Sequence, residues 1–181
     1  MNMRWKKGLL ALMSLSFLTG CAQRYTLTNQ TFVFELGDDV FANPSLYIES
    51  PEKVNVSKLS VEPQSPGITV TDNRFVSVSL DYLGVGEYDF AMVEGHSKTP
   101  FVIKIKDTKA PVLSSTPAEL TVPWGTDVNW QDVYGGSDLS GVYYDVPVDA
   151  LWSVGTRDID VRIRDRFGNS ITKPLRLTVT S

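Results

Sequence analysis

The segment Val85-Gly86-Glu87-Tyr88-Asp89-Phe90 recurs later in the chain as Val154-Gly155-Thr156-Arg157-Asp158-Ile159. Both copies begin with a Val-Gly pair, a turn signal, and lead into residues in which polar and apolar side chains alternate. That pattern is typical of a β-strand with one buried face. Because the same strand signal occurs twice, the chain is expected to contain two copies of one β-unit.

Two further matches flank this segment in the same order. Leu36–Val40 corresponds to Trp124–Val128, and Pro100–Ile105 corresponds to Pro174–Val179. The offset between the copies falls from 88 to 69 residues and then rises to 74. The first copy therefore carries about twenty additional residues, which we place within Ser50–Asn73 as an extended loop or an added edge strand.

The remaining pattern favours an all-β fold. Runs rich in Val, Ile, Phe and Thr are separated by Gly, Pro, Asn and Asp, and no segment keeps a helical period beyond a turn or two. Many short strands with regular turns indicate a sandwich or a barrel. The predicted strands are Thr31–Leu36, Val76–Leu80, Phe101–Ile105, Leu120–Val122, Ile159–Ile163 and Leu175–Val179.

The N-terminus has the features of an export signal. Three basic residues precede an apolar run, Gly8 to Leu18, that is too short to span a bilayer. The run ends in Leu18-Thr19-Gly20-Cys21, which resembles the lipobox of bacterial lipoproteins. The alternative is an ordinary secretory signal, which would need only small residues at its cleavage site.

The lipobox resemblance implies how the chain is processed and where it resides. Residues 1–20 would be the signal peptide, and Cys21 would become the first residue of the mature chain, carrying a diacylglyceryl group and fatty acids such as palmitate. Residues 21–26 would form a short tether. The protein would then be exported and held by its lipid on the extracytoplasmic face of a bacterial cell membrane.

Residues at the centre and end of the chain resemble bacterial immunoglobulin-like domains that occur in tandem. The linker Ile105–Pro111 contains Asp-x-x-Ala-Pro, and Arg164–Asn169 is similar to the closing hairpin of such domains. The first copy departs from this pattern at Gly95–Lys98. The resemblance implies two tandem immunoglobulin-like β-sandwiches, 27–107 and 108–181. We expect them to bind a protein partner at the cell envelope, through the junction and the loops of the second copy, or to act as a scaffold.

Composition argues against several classes of function. Without residues 1–20 the formal charge changes from −4 to −7, which does not favour nucleic acid or anionic lipid as a ligand. Cys21 has no second cysteine with which to form an intramolecular disulfide. His96 is the sole histidine, and no nucleophile motif, zinc-ligand set or phosphate loop accompanies it. We therefore expect neither catalysis nor a cofactor.

The aromatic residues of the second copy are the candidate ligand-binding residues. Trp130, Tyr143 and Tyr144 lie in turn-rich sequence and are expected to be exposed, so that they could stack on sugars or anchor a protein. Trp124 and Trp152 adjoin strand patterns and are expected in the core. If the ligand of these three exposed aromatics is not a protein, the alternative is a carbohydrate or a cell-wall polymer.

Three aspartates are candidate calcium ligands. Asp107 lies at the junction between the copies, and Asp138 and Asp165 lie on loop-like segments of the second copy. Calcium prefers carboxylate and carbonyl oxygens in flexible loops. The same aspartates also fit ordinary turns, in which a carboxylate accepts hydrogen bonds from nearby backbone. The turn interpretation is preferred because no Asp-x-Asp-x-Asp ladder is present, so no metal is assigned.

Overall fold

The structure is a computed structural model that describes residues 24–181. The fold is all-β and immunoglobulin-like, as the sequence predicted. The elements are β1 (Thr31–Glu35), β2 (Leu59–Pro63), β3 (Ile68–Thr71), β4 (Arg74–Ser77), β5 (Gly86–Glu94), β6 (Ser97–Lys106), β7 (Val112–Leu113), β8 (Glu119–Pro123), α1 (Trp130–Tyr134), β9 (Gly136–Ser137), β10 (Tyr143–Asp145), β11 (Gly155–Arg164) and β12 (Ser170–Thr180). Short 3₁₀ turns span Pro44–Leu46, Pro51–Lys53 and Val56–Lys58.

The two halves of the chain share one sheet topology. The first half forms a four-stranded sheet in the order β1-β6-β5-β2, and the second half forms one in the order β10-β11-β12-β8. In each four-stranded sheet the last two strands of the chain make an antiparallel hairpin, and the sheet's earliest strand, β1 or β8, runs parallel to its last strand. Phe34 pairs with Ile105, and Val122 pairs with Val179, so the registers agree with the sequence repeat. The repeat is therefore confirmed.

The additional residues of the first half lie later than the sequence indicated. The edge strand β2 has a counterpart, β10, at the same place in the second sheet, so it is not an addition. Residues 64–85 connect β2 to β5 and contain the hairpin β3–β4, whereas residues 146–154 alone connect β10 to β11. Placing the insertion within 50–73 was wrong in part, because the edge strand is common to both copies.

Each half has its own hydrophobic core. In the first, Tyr47 and Phe101 are buried against the partly buried Phe32, with ring centroids 5.0 to 5.4 Å apart. In the second, aliphatic side chains from the inward face of β11 and β12 form two adjoining clusters. Separate cores are consistent with two domains, whose boundaries at 27–107 and 108–181 stay predictions.

The N-terminal part of the described chain belongs to the first core. Tyr25 lies within the predicted tether, yet it is buried, and its hydroxyl lies 2.8 Å from Thr99 Oγ1. Cys21 and the signal peptide lie outside the described residues. Within residues 24–181, no helix has the length and apolar character that a membrane span requires.

Candidate functional site

The three predicted aromatic residues line one cleft of the second half. Trp130 comes from α1, and Tyr143 and Tyr144 come from β10. Together with Asp127 and neighbouring residues they enclose about 580 Å³. The local sequence explains this placement. The Asn129 side chain accepts a hydrogen bond from Gln131 N and begins the single turn of α1, which ends at Gly135 in a left-handed conformation.

Two of the three aromatics are less exposed than the sequence suggested. Trp130 and Tyr144 are half-buried, and each stacks on the fully buried Tyr134, with centroid separations of 6.4 and 6.2 Å. The Tyr144 hydroxyl also donates to Gln131 Oε1 and accepts from Gly136 N. The expectation that both rings are exposed was wrong, because they pack on the second core instead of standing in open turns.

Tyr143 is exposed, as expected, but one face of its ring is covered. The Arg164 guanidinium lies 4.9 Å from the ring centroid, in cation–π geometry. Asp145 fixes that guanidinium, since its Oδ2 accepts from Arg164 Nε at 2.8 Å. Tyr143 is therefore the aromatic of this cleft with the most surface left for a ligand.

The most exposed tryptophans are the two that were expected in the core. Trp124 is 61% exposed and Trp152 is 74% exposed, so that expectation was wrong. The core positions are filled instead by Val122, Leu177 and Val179, while both tryptophans lie beyond the ends of their strands. The sequence did contain a signal for this exposure, because both tryptophans lie outside the runs in which polar and apolar residues alternate.

The two exposed tryptophans are held next to each other. Trp124 Nε1 donates to the carbonyl oxygen of Trp152 at 3.1 Å. Both rings line a shallow cleft of about 350 Å³, together with Leu151 and Asp127. We call Trp124, Leu151 and Trp152 the tryptophan surface. Asp127 also lines the cleft of Trp130, Tyr143 and Tyr144, so the two clefts adjoin.

The three aspartates named as calcium candidates meet at the junction between the halves. Asp107, Asp138 and Asp165 each offer a carboxylate oxygen, and these oxygens all lie within 4.8 Å of one another. Asp107 follows β6, Asp138 follows β9, and Asp165 begins the turn between β11 and β12. The sequence identified the residues, and the fold brings them together from three separate segments.

Two of these aspartates also make the turn contacts that the alternative interpretation expected. Asp138 Oδ1 accepts from the backbone N–H and the hydroxyl of Ser140, both at 2.8 Å. Asp165 is fully buried and accepts from Phe167 N at 2.8 Å and Asn169 N at 2.9 Å. Its Oδ2 accepts from Asn169 Nδ2 at 2.6 Å. These hydrogen bonds fix the orientation of both carboxylates.

Asp107 differs from the other two. Its Oδ2 is shielded from solvent and accepts no hydrogen bond from the described residues. Burial raises the pKa of the Asp107 carboxyl, and the charges of Asp138 and Asp165 raise it further, against the effect of donors at Ser140 and Lys109. A shielded carboxylate oxygen without a donor is unfavourable unless a proton or a cation compensates it.

Other contacts join the two halves near this cluster. The Glu35 carboxylate accepts from Thr108 N at 2.6 Å and Thr108 Oγ1 at 2.8 Å, and the backbone bond is the main cause of a lowered Glu35 pKa. Asn169 Nδ2 donates to the Asp107 carbonyl at 3.0 Å. A Cβ at Gly37 would lie 2.6 Å from Leu139, so this turn packs closely on the Asp138 loop.

His96 occupies an exposed turn between β5 and β6. In the described part of the chain, the junction aspartates are the one group of three or more His, Cys, Asp or Glu side chains close enough to share a metal ion, and His96 does not belong to it.

Comparison with protein-family models and with curated proteins gives no match. Among solved structures, human mucin-like protocadherin EC1-2 is 17% identical with a TM-score of 0.33, and the alignment covers 88% of this chain and 99% of that one. Chicken VE-cadherin EC1-2 is 12% identical with a TM-score of 0.30, covering 84% and 98%. An endo-fucoidan hydrolase of glycoside hydrolase family 107 is 13% identical with a TM-score of 0.33, covering 92% of this chain and 30% of that one. What this chain binds has to be argued from its own residues.

Proposed function

We propose that the protein is a lipid-anchored, non-catalytic lipoprotein of the bacterial cell envelope, and that its immunoglobulin-like fold binds a protein partner through the tryptophan surface. The observation that carries this proposal is that Trp124 and Trp152 are both exposed and line one cleft, where Trp124 Nε1 donates to the Trp152 carbonyl oxygen. The resemblance of Leu18–Cys21 to a lipobox supports the anchoring, and the exposed apolar surface of Trp124 and Trp152 supports a binding role.

Exposed tryptophans favour a macromolecular partner for a physical reason. Burying the exposed part of a tryptophan side chain favours association by about 25 cal/mol per Å² removed from water, before the entropic costs of association are subtracted. Tryptophan is also enriched among the residues that dominate binding energy at protein interfaces. The loop that carries Trp152 also exposes Val148 and Val154, so apolar area is available beyond the indoles.

A photo-crosslinking experiment in the native cell tests this proposal. A photoreactive amino acid replaces Ser153, which is exposed and next to Trp152. The expected result is one specific crosslinked protein that is lost when Trp124 and Trp152 are both changed to Ser. Leu46→Ser is the matched control, because Leu46 is an exposed apolar residue of the first half and should leave the crosslink unchanged. A crosslink that persists in the double variant would refute the proposed surface.

Carbohydrate or wall-polymer binding is the second candidate function, carried by the cleft that joins Trp130, Tyr143 and Tyr144. A sugar ring could stack on the exposed part of Tyr143 and bond to Asp127 in the same cleft. A glycan array compares the wild type with Tyr143→Ala, which leaves the packed rings of Trp130 and Tyr144 in place. Loss of glycan binding is expected on this hypothesis. Binding that is unchanged in Tyr143→Ala would rule out this cleft.

A further inference from the structure

We propose that the two halves of the chain form one rigid rod, and that this rod holds the tryptophan surface at the end farthest from the N-terminal segment. In a chain anchored by its lipid, the partner would then be met well above the membrane and not at the bilayer surface. The anchor and the partner rest on the proposed function, whereas the rod itself depends only on the fold of residues 24–181.

The N-terminal segment lies at one end of the first half. The Tyr25 hydroxyl lies 2.8 Å from Thr99 Oγ1 and 3.3 Å from the Met92 carbonyl oxygen, and Met92 and Thr99 pair beside the turn between β5 and β6. From that turn β6 runs to Lys106, where the linker to the second half begins. The 10 residues of β6 span about 33 Å, at about 3.3 Å per residue. Tyr25 and the linker are therefore at opposite ends of the first half.

The tryptophan surface lies at the far end of the second half. The turn between β11 and β12 contacts the linker, because Asn169 Nδ2 donates to the Asp107 carbonyl at 3.0 Å. From that turn the 11 residues of β12 span about 36 Å and end at Thr180. The Thr180 carbonyl accepts from Trp124 N at 2.8 Å, and Trp152 precedes β11 where β11 pairs with this end of β12. The two strands together separate the tryptophan surface from the N-terminal segment by up to about 70 Å.

The linker between the halves is short, and its own residues restrain it. Residues 107–111 connect β6 to β7, and the last of them, Pro111, is buried. The proline ring fixes φ of Pro111 and disfavours the helical region for Ala110, so few backbone conformations remain at that point. A linker of this kind is stiffer than a glycine- and serine-rich one, which behaves as a flexible coil.

Hydrogen bonds join the linker to both halves. On one side the carboxylate of Glu35, the last residue of β1, accepts from Thr108 N at 2.6 Å and from Thr108 Oγ1 at 2.8 Å. On the other side Asn169 donates to the Asp107 carbonyl. Two consecutive linker residues are thus bonded to opposite halves. Because both bonds depend on the position of the linker, rotation of one half against the other would break at least one of them.

Nonpolar contacts join the two halves directly. Gly37, in the turn after β1, has a φ of +88°, and a Cβ there would lie 2.6 Å from Leu139 Cδ1. This turn therefore packs closely on a loop of the second half. Phe167, in the turn between β11 and β12, lines a cleft of about 360 Å³ with Val85 and Ile105 of the first half. These contacts oppose bending at the linker in addition to the hydrogen bonds.

Distances between two spin labels test the rod in the purified full chain. The labels are attached at Ser60→Cys in β2 and Asp160→Cys in β11, two exposed strand positions in different halves. A Cys21→Ser background leaves only these two thiols, so the result does not depend on lipidation. Double electron–electron resonance should give one narrow distance distribution. A broad or double distribution would overturn the rod.

A double variant tests whether the contacts at the joint hold the halves together. Glu35→Ala with Leu139→Ser removes one hydrogen-bonding side chain and one packing side chain, so the distance distribution should widen while the circular dichroism spectrum stays that of the wild type. Glu52→Ala with Leu46→Ser is the matched control, because both residues are exposed in the first half, and Leu46 is 55% exposed against 56% for Leu139. An unchanged distribution in the joint variant would overturn the role of these contacts.

Energy transfer to labelled lipid tests where the tryptophan surface stands. The lipidated chain is reconstituted in phosphatidylcholine vesicles that carry a headgroup acceptor, with a donor on Ser153→Cys or on Thr26→Cys. Transfer should be strong from position 26, which lies within about 18 Å of Cys21 along the chain, and weak from position 153. Strong transfer from both positions would overturn the placement of the surface. A chain that does not bind the vesicles would refute the lipid anchor of the proposed function, and the spin-label distances would still decide the rod.

Discussion

Two buried tyrosines should respond in opposite directions to the same change. Tyr134 is fully buried beneath the aromatic cleft, and its hydroxyl has no hydrogen-bond partner among the described residues. Tyr47 is equally buried in the first half, but its hydroxyl donates to the Phe41 carbonyl at 2.6 Å. Burial raises the pKa of both phenols, so both hydroxyls stay neutral at ordinary pH.

The expected magnitudes follow from hydrogen-bond satisfaction. An unsatisfied buried polar group costs about 1–3 kcal/mol, so Tyr134→Phe should raise the free energy of unfolding by about 1–2 kcal/mol. Tyr47→Phe removes a hydrogen bond worth about 1 kcal/mol and leaves a carbonyl without its donor, so it should lower stability by about 1–3 kcal/mol. Ring packing is retained in both variants, because only the hydroxyl is removed.

Urea unfolding measures both effects. Tryptophan fluorescence follows the second half, where Trp124, Trp130 and Trp152 lie, and circular dichroism follows the strands of both halves. Unchanged dependence on urea concentration would show that the variants unfold from the same native state. A loss of stability in Tyr134→Phe would contradict the reasoning, since it would mean that the hydroxyl has a partner such as a bound water.

Further predictions concern exposure, anchoring and pH. Trp152→Ala should cost at most about 1.5 kcal/mol in urea unfolding, because only about a quarter of the side chain is buried, and a loss of about 3–5 kcal/mol would instead show a core residue. Cys21→Ala should move the protein from the membrane to the soluble fraction, and unchanged membrane retention would disprove lipid anchoring. The lowered pKa of Glu35 means that its contact with Thr108 stabilises the fold above about pH 4.3 and is lost as pH falls through the folded pKa. Melting temperature measured against pH should therefore show a weaker acid dependence in Glu35→Gln, and identical curves would argue against this contact.

Features set by short-range sequence patterns were predictable. The strand repeat predicted two copies of one β-unit, and equivalent residues do occupy equivalent registers in the β1–β6 and β8–β12 pairs. The turn at Arg164–Asn169 followed from its Asp, Gly and Asn residues, and Gly168 has the positive φ that such a turn requires. These features depend on residues that are close together in the sequence, so they could be predicted from it.

The exposure of individual aromatics was not predictable in the same way. Alternation assigns a face only inside a strand, and Trp124 and Trp152 lie past strand ends, where the chain direction changes. Trp130 was assigned to a turn, but the one-turn helix α1 directs it onto Tyr134. The additional residues of the first half were likewise placed too early, because the sequence does not show that the edge strand β2 has a counterpart in the second sheet.

An all-β repeat follows from the sequence alone, which also predicts an export signal ending at Cys21 and offers three aspartates with the chemistry of turns or calcium ligands. Only the tertiary structure decided which tryptophans face solvent and that Asp107, Asp138 and Asp165 meet. The physical reason is the separation along the chain between the residues that interact. Turns and strands depend on neighbours a few residues apart, whereas exposure and charge clustering depend on segments about thirty to sixty residues apart that folding brings into contact.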